Sequence, residues 1–172
     1  MSGNLIAKKG YGQVEPNHLS AQRNGQIYAQ LPCNSGIDEL QNGQFVQYSY
    51  EDGEVKLTGA DIEPMLVYNE VKLYDPKHSY KDFVYRKADF TDGKLYPRVF
   101  KTMVGDILTT NLIDCGSKTN FAGLALKDKL TVNASGILEY NASPESANMV
   151  WAVVKKYTLA DGQEAVKIQR VK

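Results

Sequence analysis

The run Glu63–Asp75, reading Glu-Pro-Met-Leu-Val-Tyr-Asn-Glu-Val-Lys-Leu-Tyr-Asp, constrains the fold more than any other stretch. From Leu66 to Tyr74 it is rich in β-branched, aromatic and long aliphatic residues, which fit a pleated, half-buried surface. Pro64 stands before it and Asp75-Pro76 closes it, so a strand has a start and a stop. With side chains alternating across a strand, Val67, Asn69, Val71 and Leu73 share one face, and Leu66, Tyr68, Glu70, Lys72 and Tyr74 share the other. Neither face is purely apolar. The expectation is a central strand whose outer face meets a neighbouring chain or the arm of another copy, which Asn69, Glu70 and Lys72 would suit.

Elsewhere the chain reads as short strands with turn signals every ~8–12 residues, the rhythm of a sandwich or barrel. Strands are expected over 26–31, 44–50, 54–58, 96–104, 107–113, 130–133, 137–140, 149–158 and 164–171. Asn42-Gly43, Asp52-Gly53, Ala134-Ser135-Gly136 and Asp161-Gly162 supply turns between them. Residues 37–40 suit a helical turn or an extended link. Residues 79–87 and 141–148 suit a short helix or a loop. In the last hairpin, alternation puts Trp151, Val153 and Tyr157 on one face. The fold class expected is all-β, mainly antiparallel sandwich or barrel units, with few short helices and an extended N-terminal arm. The divisions are an arm over 1–24, a β-rich domain over 25–104, and a smaller β unit over 105–172 that shares one core with it or stands beside it.

Composition narrows the function classes. Twenty basic and twenty acidic residues cancel, which argues against a dedicated nucleic-acid binder, since phosphate neutralisation needs a basic surface. The charge is uneven, however. Residues 1–24 carry a net +2, residues 25–149 a net −5 and residues 150–172 a net +3, which permits contact between the ends of one copy and the middle of another. Met1–Asn4 lacks a charged leader and Leu5–Ala7 is too short for an apolar one, so no export signal is expected. No stretch approaches the ~20 apolar residues of a membrane span. Cys33 and Cys115 are expected as free thiols. Only His18 and His78 are present as histidines, neither at ligand spacing to a cysteine, so no metal is expected. No nucleophile elbow, Walker loop, dinucleotide fingerprint or calcium loop occurs, and no cofactor or catalytic residue is assigned. A glycosidase pair of carboxylates is not visible in the scattered acids.

The arm and the centre together carry a resemblance. Val14–Leu31 (Val-Glu-Pro-Asn-His-Leu-Ser-Ala-Gln-Arg-Asn-Gly-Gln-Ile-Tyr-Ala-Gln-Leu), Leu66–Tyr74, Tyr96-Pro97-Arg98 and Gly105–Asn111 are similar to small virion structural proteins of tailed bacteriophages. The similarity spans most of residues 14–112. It implies a non-enzymatic auxiliary capsid protein of the decoration or cement kind, made in the host cytoplasm and bound outside the major shell. The implied partners are the major capsid protein and neighbouring copies, as an oligomer or a capsid-bound array, with no nucleic acid or membrane. An arm that grips neighbours would use Leu5, Ile6, Tyr11 and Val14 as anchors and Lys8, Lys9 and Arg23 as contacts to an acidic surface. Two alternatives stay open: another virion part, such as a tail, neck or head-fibre component, and a carbohydrate-binding β module presenting Tyr68, Tyr74 and Tyr85.

Overall fold

A computed structural model of the chain describes residues 4–7, 11–19, 30–57, 63–69, 84–89 and 91–172. Among these the chain is almost entirely β, with only short 3-10 turns as helix. The strands are β1 (Val14–His18), β2 (Glu39–Gln41), β3 (Phe45–Ser49), β4 (Glu54–Leu57), β5 (Met65–Val67), β6 (Val84–Arg86), β7 (Val99–Phe100), β8 (Ile107–Thr110), β9 (Ile113–Asp114), β10 (Lys129–Val132), β11 (Leu138–Tyr140), β12 (Trp151–Thr158) and β13 (Glu164–Arg170). The 3-10 turns cover Lys87–Asp89, Gly116–Lys118 and Phe121–Gly123.

Seven strands form one sheet in the order β1-β8-β13-β12-β10-β11-β9. All its pairings are antiparallel except β11 with β9. The order forces the sheet to roll up. Strands β8 and β9 are second and last, yet only Asn111 and Leu112 separate them. Three Cα–Cα steps reach about 10 Å, whereas five strand spacings across a flat sheet need about 24 Å. Residues 107–114 are therefore one bent strand that serves both ends of a barrel. The bend is held locally: the Leu112 N–H donates to Thr110 Oγ1 (3.0 Å) and the Ile113 N–H to the Asn111 carbonyl (3.0 Å).

The remaining strands make a four-stranded sheet, β4-β3-β5-β7, and a β2-β6 pair. The four-stranded sheet is a wall between two apolar clusters. On β3, Phe45 faces the barrel, packing with Trp151 at a centroid distance of 6.0 Å, while Val46 and Tyr48 belong to a second cluster. On β5, Leu66 joins the barrel core, and Met65 and Val67 join the other. This explains an uninterrupted Met-Leu-Val: both faces are covered, as in a buried strand. The second cluster is closed by Ile37, Leu40, Val55, Leu95 and Val99. Phe45 and Leu66 both precede residue 104 yet pack with Leu108, Leu130, Leu138, Val166 and Ile168, so the interior runs across that boundary.

Several local expectations shift. The central strand ends at Val67, and residues 70–75 lie outside the described set. Asn69 does not face a neighbouring chain. It is buried and paired with Asn42, whose Oδ1 accepts from the Asn69 N–H (2.8 Å) and whose Nδ2 donates to its carbonyl (3.1 Å). Residues 39–41 form a strand because β6 offers them a partner edge, and 141–148 form turns without a helix. The strand expected over 96–104 shrinks to Val99–Phe100. Of 26–31 only Gln30 and Leu31 are described, and both are irregular. In β12 a bulge between Val153 and Lys155 inserts Val154 and reverses the alternation. Trp151 and Val153 stay in the core, but Tyr157 pairs with Ala165 and faces away. The phase change leaves Lys156 able to curl over the barrel rim, 4.4 Å above the Phe121 ring, donating to the Ala122 and Leu124 carbonyls.

The wall and the barrel meet backbone to backbone at Gly136. The Phe45 N–H donates to the Gly136 carbonyl (2.7 Å), and a Cβ on Gly136 would lie 2.3 Å from the Phe45 carbonyl oxygen, at φ +73°. Gly136→Ala is expected to cost about 3 kcal/mol, left-handed strain plus displacement of β3. Gly162→Ala, at φ +84° with open space around it, is expected to cost about 1 kcal/mol. Urea unfolding of the two variants checks this; equal losses would show that the β3 contact contributes nothing.

Candidate interaction surfaces

The N-terminal segment is the first place to look, because the sequence puts contact residues there. The structure lays it along the bent strand 107–115 of its own chain. Leu5 bridges Asp114, the Ile6 N–H donates to the Ile113 carbonyl (2.9 Å) and the Cys115 N–H to the Asn4 carbonyl (3.0 Å). Further on, β1 pairs with β8 from Val14–Thr110 to His18–Ile107. Between these contacts Asn111 Oδ1 accepts from the Gln13 N–H (2.7 Å), and Gln13 Nε2 donates to Asp161 (2.9 Å). Hydrogen bonds from Gln163 first, and then Gln13, hold the Asp161 carboxyl below the usual carboxylate range.

Leu5, Ile6 and Leu19 are buried, and Val14 packs against the same core. Tyr11 lies under the Arg86 guanidinium, 5.1 Å from its ring centroid. Leu5 and Ile6 are therefore buried against their own chain's core, and Val14 is partly buried against it. The reason is physical: each buried aliphatic is worth about 1.5–3 kcal/mol, and the adjacent sheet edge satisfies the segment's backbone groups. Lys8, Lys9 and Arg23 lie outside the described residues, as do His78 and the side chain of His18. Among the proposed sugar-platform tyrosines, Tyr68 is half-buried with its ring 6.2 Å from Phe100. Tyr74 and the side chain of Tyr85 lie outside the described set.

A cleft of about 400 Å³ is lined by Cys33, Asn34, Asp52, Glu54, Lys87 and Lys94, among others. Several of its polar groups are engaged: Asn34 Nδ2 donates to Glu54 (2.6 Å), Lys56 pairs with Asp52 (2.5 Å), and Lys87 donates to the Ser35 carbonyl (3.1 Å). Burial, and then Glu54, push the Cys33 thiol up to about 12, so it is not a nucleophile at neutral pH. Both cysteines are free thiols. Among the described residues no group of three or more metal-ligating side chains converges, and no helix is long and apolar enough to cross a membrane.

A different feature exposes large apolar side chains. The turn after β7 presents Met103 and Val104 at 60% and 67% exposure. It is rigid: buried Asp106 accepts from the Met103 N–H (2.9 Å), and its own N–H donates to the Met103 carbonyl (3.0 Å). Gly105 and Asp106 then pair with Arg170 through backbone bonds of 2.8 and 2.9 Å. The Arg170 side chain, itself buried, donates to Thr102 through its carbonyl and hydroxyl oxygens and to the Lys172 carbonyl, and meets Glu63 at 2.6 Å. Exposed Val171 follows it. The backbone that carries these two exposed apolar side chains is thus braced by a network beneath it. The signal in the sequence is an apolar pair directly before Gly105-Asp106, where a turn tip would ordinarily be polar.

Comparison with protein-family models, with curated proteins and with solved structures returns no match for this chain.

Two measurements test these placements. Ile6→Ala is expected to lower stability by about 2–4 kcal/mol, the cost of an emptied core site, and deletion of residues 1–19 is expected to lower it further. Unchanged denaturation midpoints would mean that the segment does not dock on its own barrel. For Cys33, a pKa raised from 9.0 to about 12 favours the neutral thiol in the folded state. Its stabilising contribution is complete below pH 9 and is lost as pH rises towards 12. Site-resolved mass spectrometry at pH 8 is expected to show Cys33 alkylated roughly 100-fold more slowly in native than in unfolded protein; equal rates would refute the shift.

Proposed function

We propose that this chain is a non-enzymatic virion structural protein, a decoration or cement protein that binds the outside of a tailed-phage capsid and stabilises it. Its partners are the major capsid protein and neighbouring copies. The sequence resemblance over residues 14–112 supplies the class. The observation that carries the contact chemistry is the Met103–Val104 turn, where apolar side chains stand out from a frame that Asp106 and Arg170 hold fixed. A contact residue that is rigid before binding loses little entropy on binding, and exposed apolar side chains supply the area a partner can bury. The N-terminal segment serves this reading as part of the frame, since its apolar residues are spent on the barrel.

The test uses capsid particles that lack the protein. Added in saturating amounts, it is expected to bind them and raise their melting temperature. Met103→Ser with Val104→Ser is expected to weaken binding by at least 10-fold while leaving the melting temperature of the isolated protein within about 2 °C, because exposed positions contribute little to folding. Particles whose melting temperature does not move under saturating protein would overturn the reading. Removal of the N-terminal segment is a poor probe, because it damages the core and the contact surface together.

A further inference from the structure

The outer face of the barrel carries lysines that no ion pair among the described residues neutralises. Strand register places Glu15, Thr109, Lys167 and Lys155 in one row across β1, β8, β13 and β12. Lys155 and Lys167 are direct cross-strand partners, an arrangement in which like charges repel. In the neighbouring row on the same face stand Lys129, Ala152, Gln169 and Ile107. Lys129, Lys155 and Lys167 make no ion pair or side-chain hydrogen bond. The acid in their row, Glu15, is two strands from Lys167, about 10 Å away. Beside the lysines the β12 bulge turns Val154 out to 44% exposure, and exposed Leu126 precedes the Lys127 N–H bond to the Val153 carbonyl.

The complement to this surface lies at the tip of the β3–β4 hairpin. Tyr50 is 68% exposed there, its ring edge-on to Tyr48 at 6.0 Å, and Glu51 beside it is exposed with no partner. Glu51, Asp52 and Glu54 against Lys56 leave the hairpin at a net −2. Each surface is therefore an apolar side chain next to an unpaired charge: Val154 with Lys155 on one, Tyr50 with Glu51 on the other. No ion pair joins them within the chain. We propose that the lysine face of one copy docks on the Tyr50–Glu51 hairpin tip of a second copy. The two surfaces differ, so the contact is head-to-tail. Each copy keeps one surface free for the next, and the assembly grows into a ring or an open row. The capsid reading already counts neighbouring copies among the partners; this contact gives that part of it a surface, separate from the Met103–Val104 turn, and sedimentation tests it without capsids.

Sedimentation velocity of the full chain tests it. Wild-type protein is expected to associate with rising concentration at about 0.01 M salt and to dissociate towards monomer at about 1 M, where charges are screened beyond about 3 Å. Lys155→Glu with Lys167→Glu, and separately Glu51→Lys, are each expected to weaken association at least 10-fold, and Lys155→Gln with Lys167→Gln to do so by less. All carry exposed or half-buried, unpartnered positions, and unchanged melting temperatures confirm that they fold. Combining Lys155→Glu, Lys167→Glu and Glu51→Lys in one chain is expected to restore association, because both surfaces then carry reversed charge. Wild-type protein that stays monomeric at low salt, or a triple variant no better than the double, overturns the proposal. So does a thymidine oligonucleotide bound by wild type but not by the lysine variants, which would assign the face to a polyanion.

Discussion

The structure depends on a wall with two dry faces. Strands β3 and β5 send alternate side chains to opposite sides, Phe45 and Leu66 into the barrel and Val46, Met65 and Val67 into the second cluster. Burying both faces removes water from every backbone group of the wall, so each must find a partner. The Phe45 N–H finds the Gly136 carbonyl, Gly43 and Gln44 exchange bonds with Val67, and Asn42 with Asn69 closes the strand end. The two β units are thereby held in one arrangement. Neither apolar cluster is closed without this wall.

That arrangement decides which surfaces are left for partners. The N-terminal segment is absorbed by the bent strand 107–115. The cleft at Cys33 has Glu54 and Asp52 bonded internally and its thiol kept neutral. What projects is short and fixed: the Met103–Val104 turn braced by Asp106 and Arg170, the Tyr50–Glu51 hairpin tip, and the lysine face over β12 and β13. Each is mounted on strands or tight turns, so its backbone has a defined position. A protein so arranged is suited to binding by surfaces, and the cleft adds no reactive thiolate.

Much of the fold was legible in residue order. The all-β class, the hairpin at Ala134-Ser135-Gly136, strands 45–49 and 54–57, and the closing hairpin follow from alternation and turn dipeptides. What escaped depends on contacts distant in sequence. Residues 39–41 become a strand only because residues 84–86 lie beside them. The bulge at Val154 leaves no mark on composition, yet it moves Tyr157 out and Lys156 to the rim. Asn69 among apolar residues resembles a surface position until Asn42 appears opposite it. The N-terminal segment lacks any period because its partner strand is bent, and a docked chain copies the irregularity of its template. Met103 and Val104 read as the end of a strand over 96–104, and only the bonds of Asp106 and Arg170 reveal the braced turn that presents them.

The bent strand also orders events at the ribosome. The Ile6 N–H needs the Ile113 carbonyl, and β1 needs β8, more than 90 residues later in the chain. At about 5–20 residues per second, Leu5 and Ile6 leave the ribosome seconds before their pairing edge exists. Apart from β1, the strands of the barrel sheet all follow residue 106, so the N-terminal segment can pair with the barrel only after that region has emerged. During that interval Leu5, Ile6 and β1 have no edge to pair with, so the barrel sheet closes only once residues 107–114 are available to them.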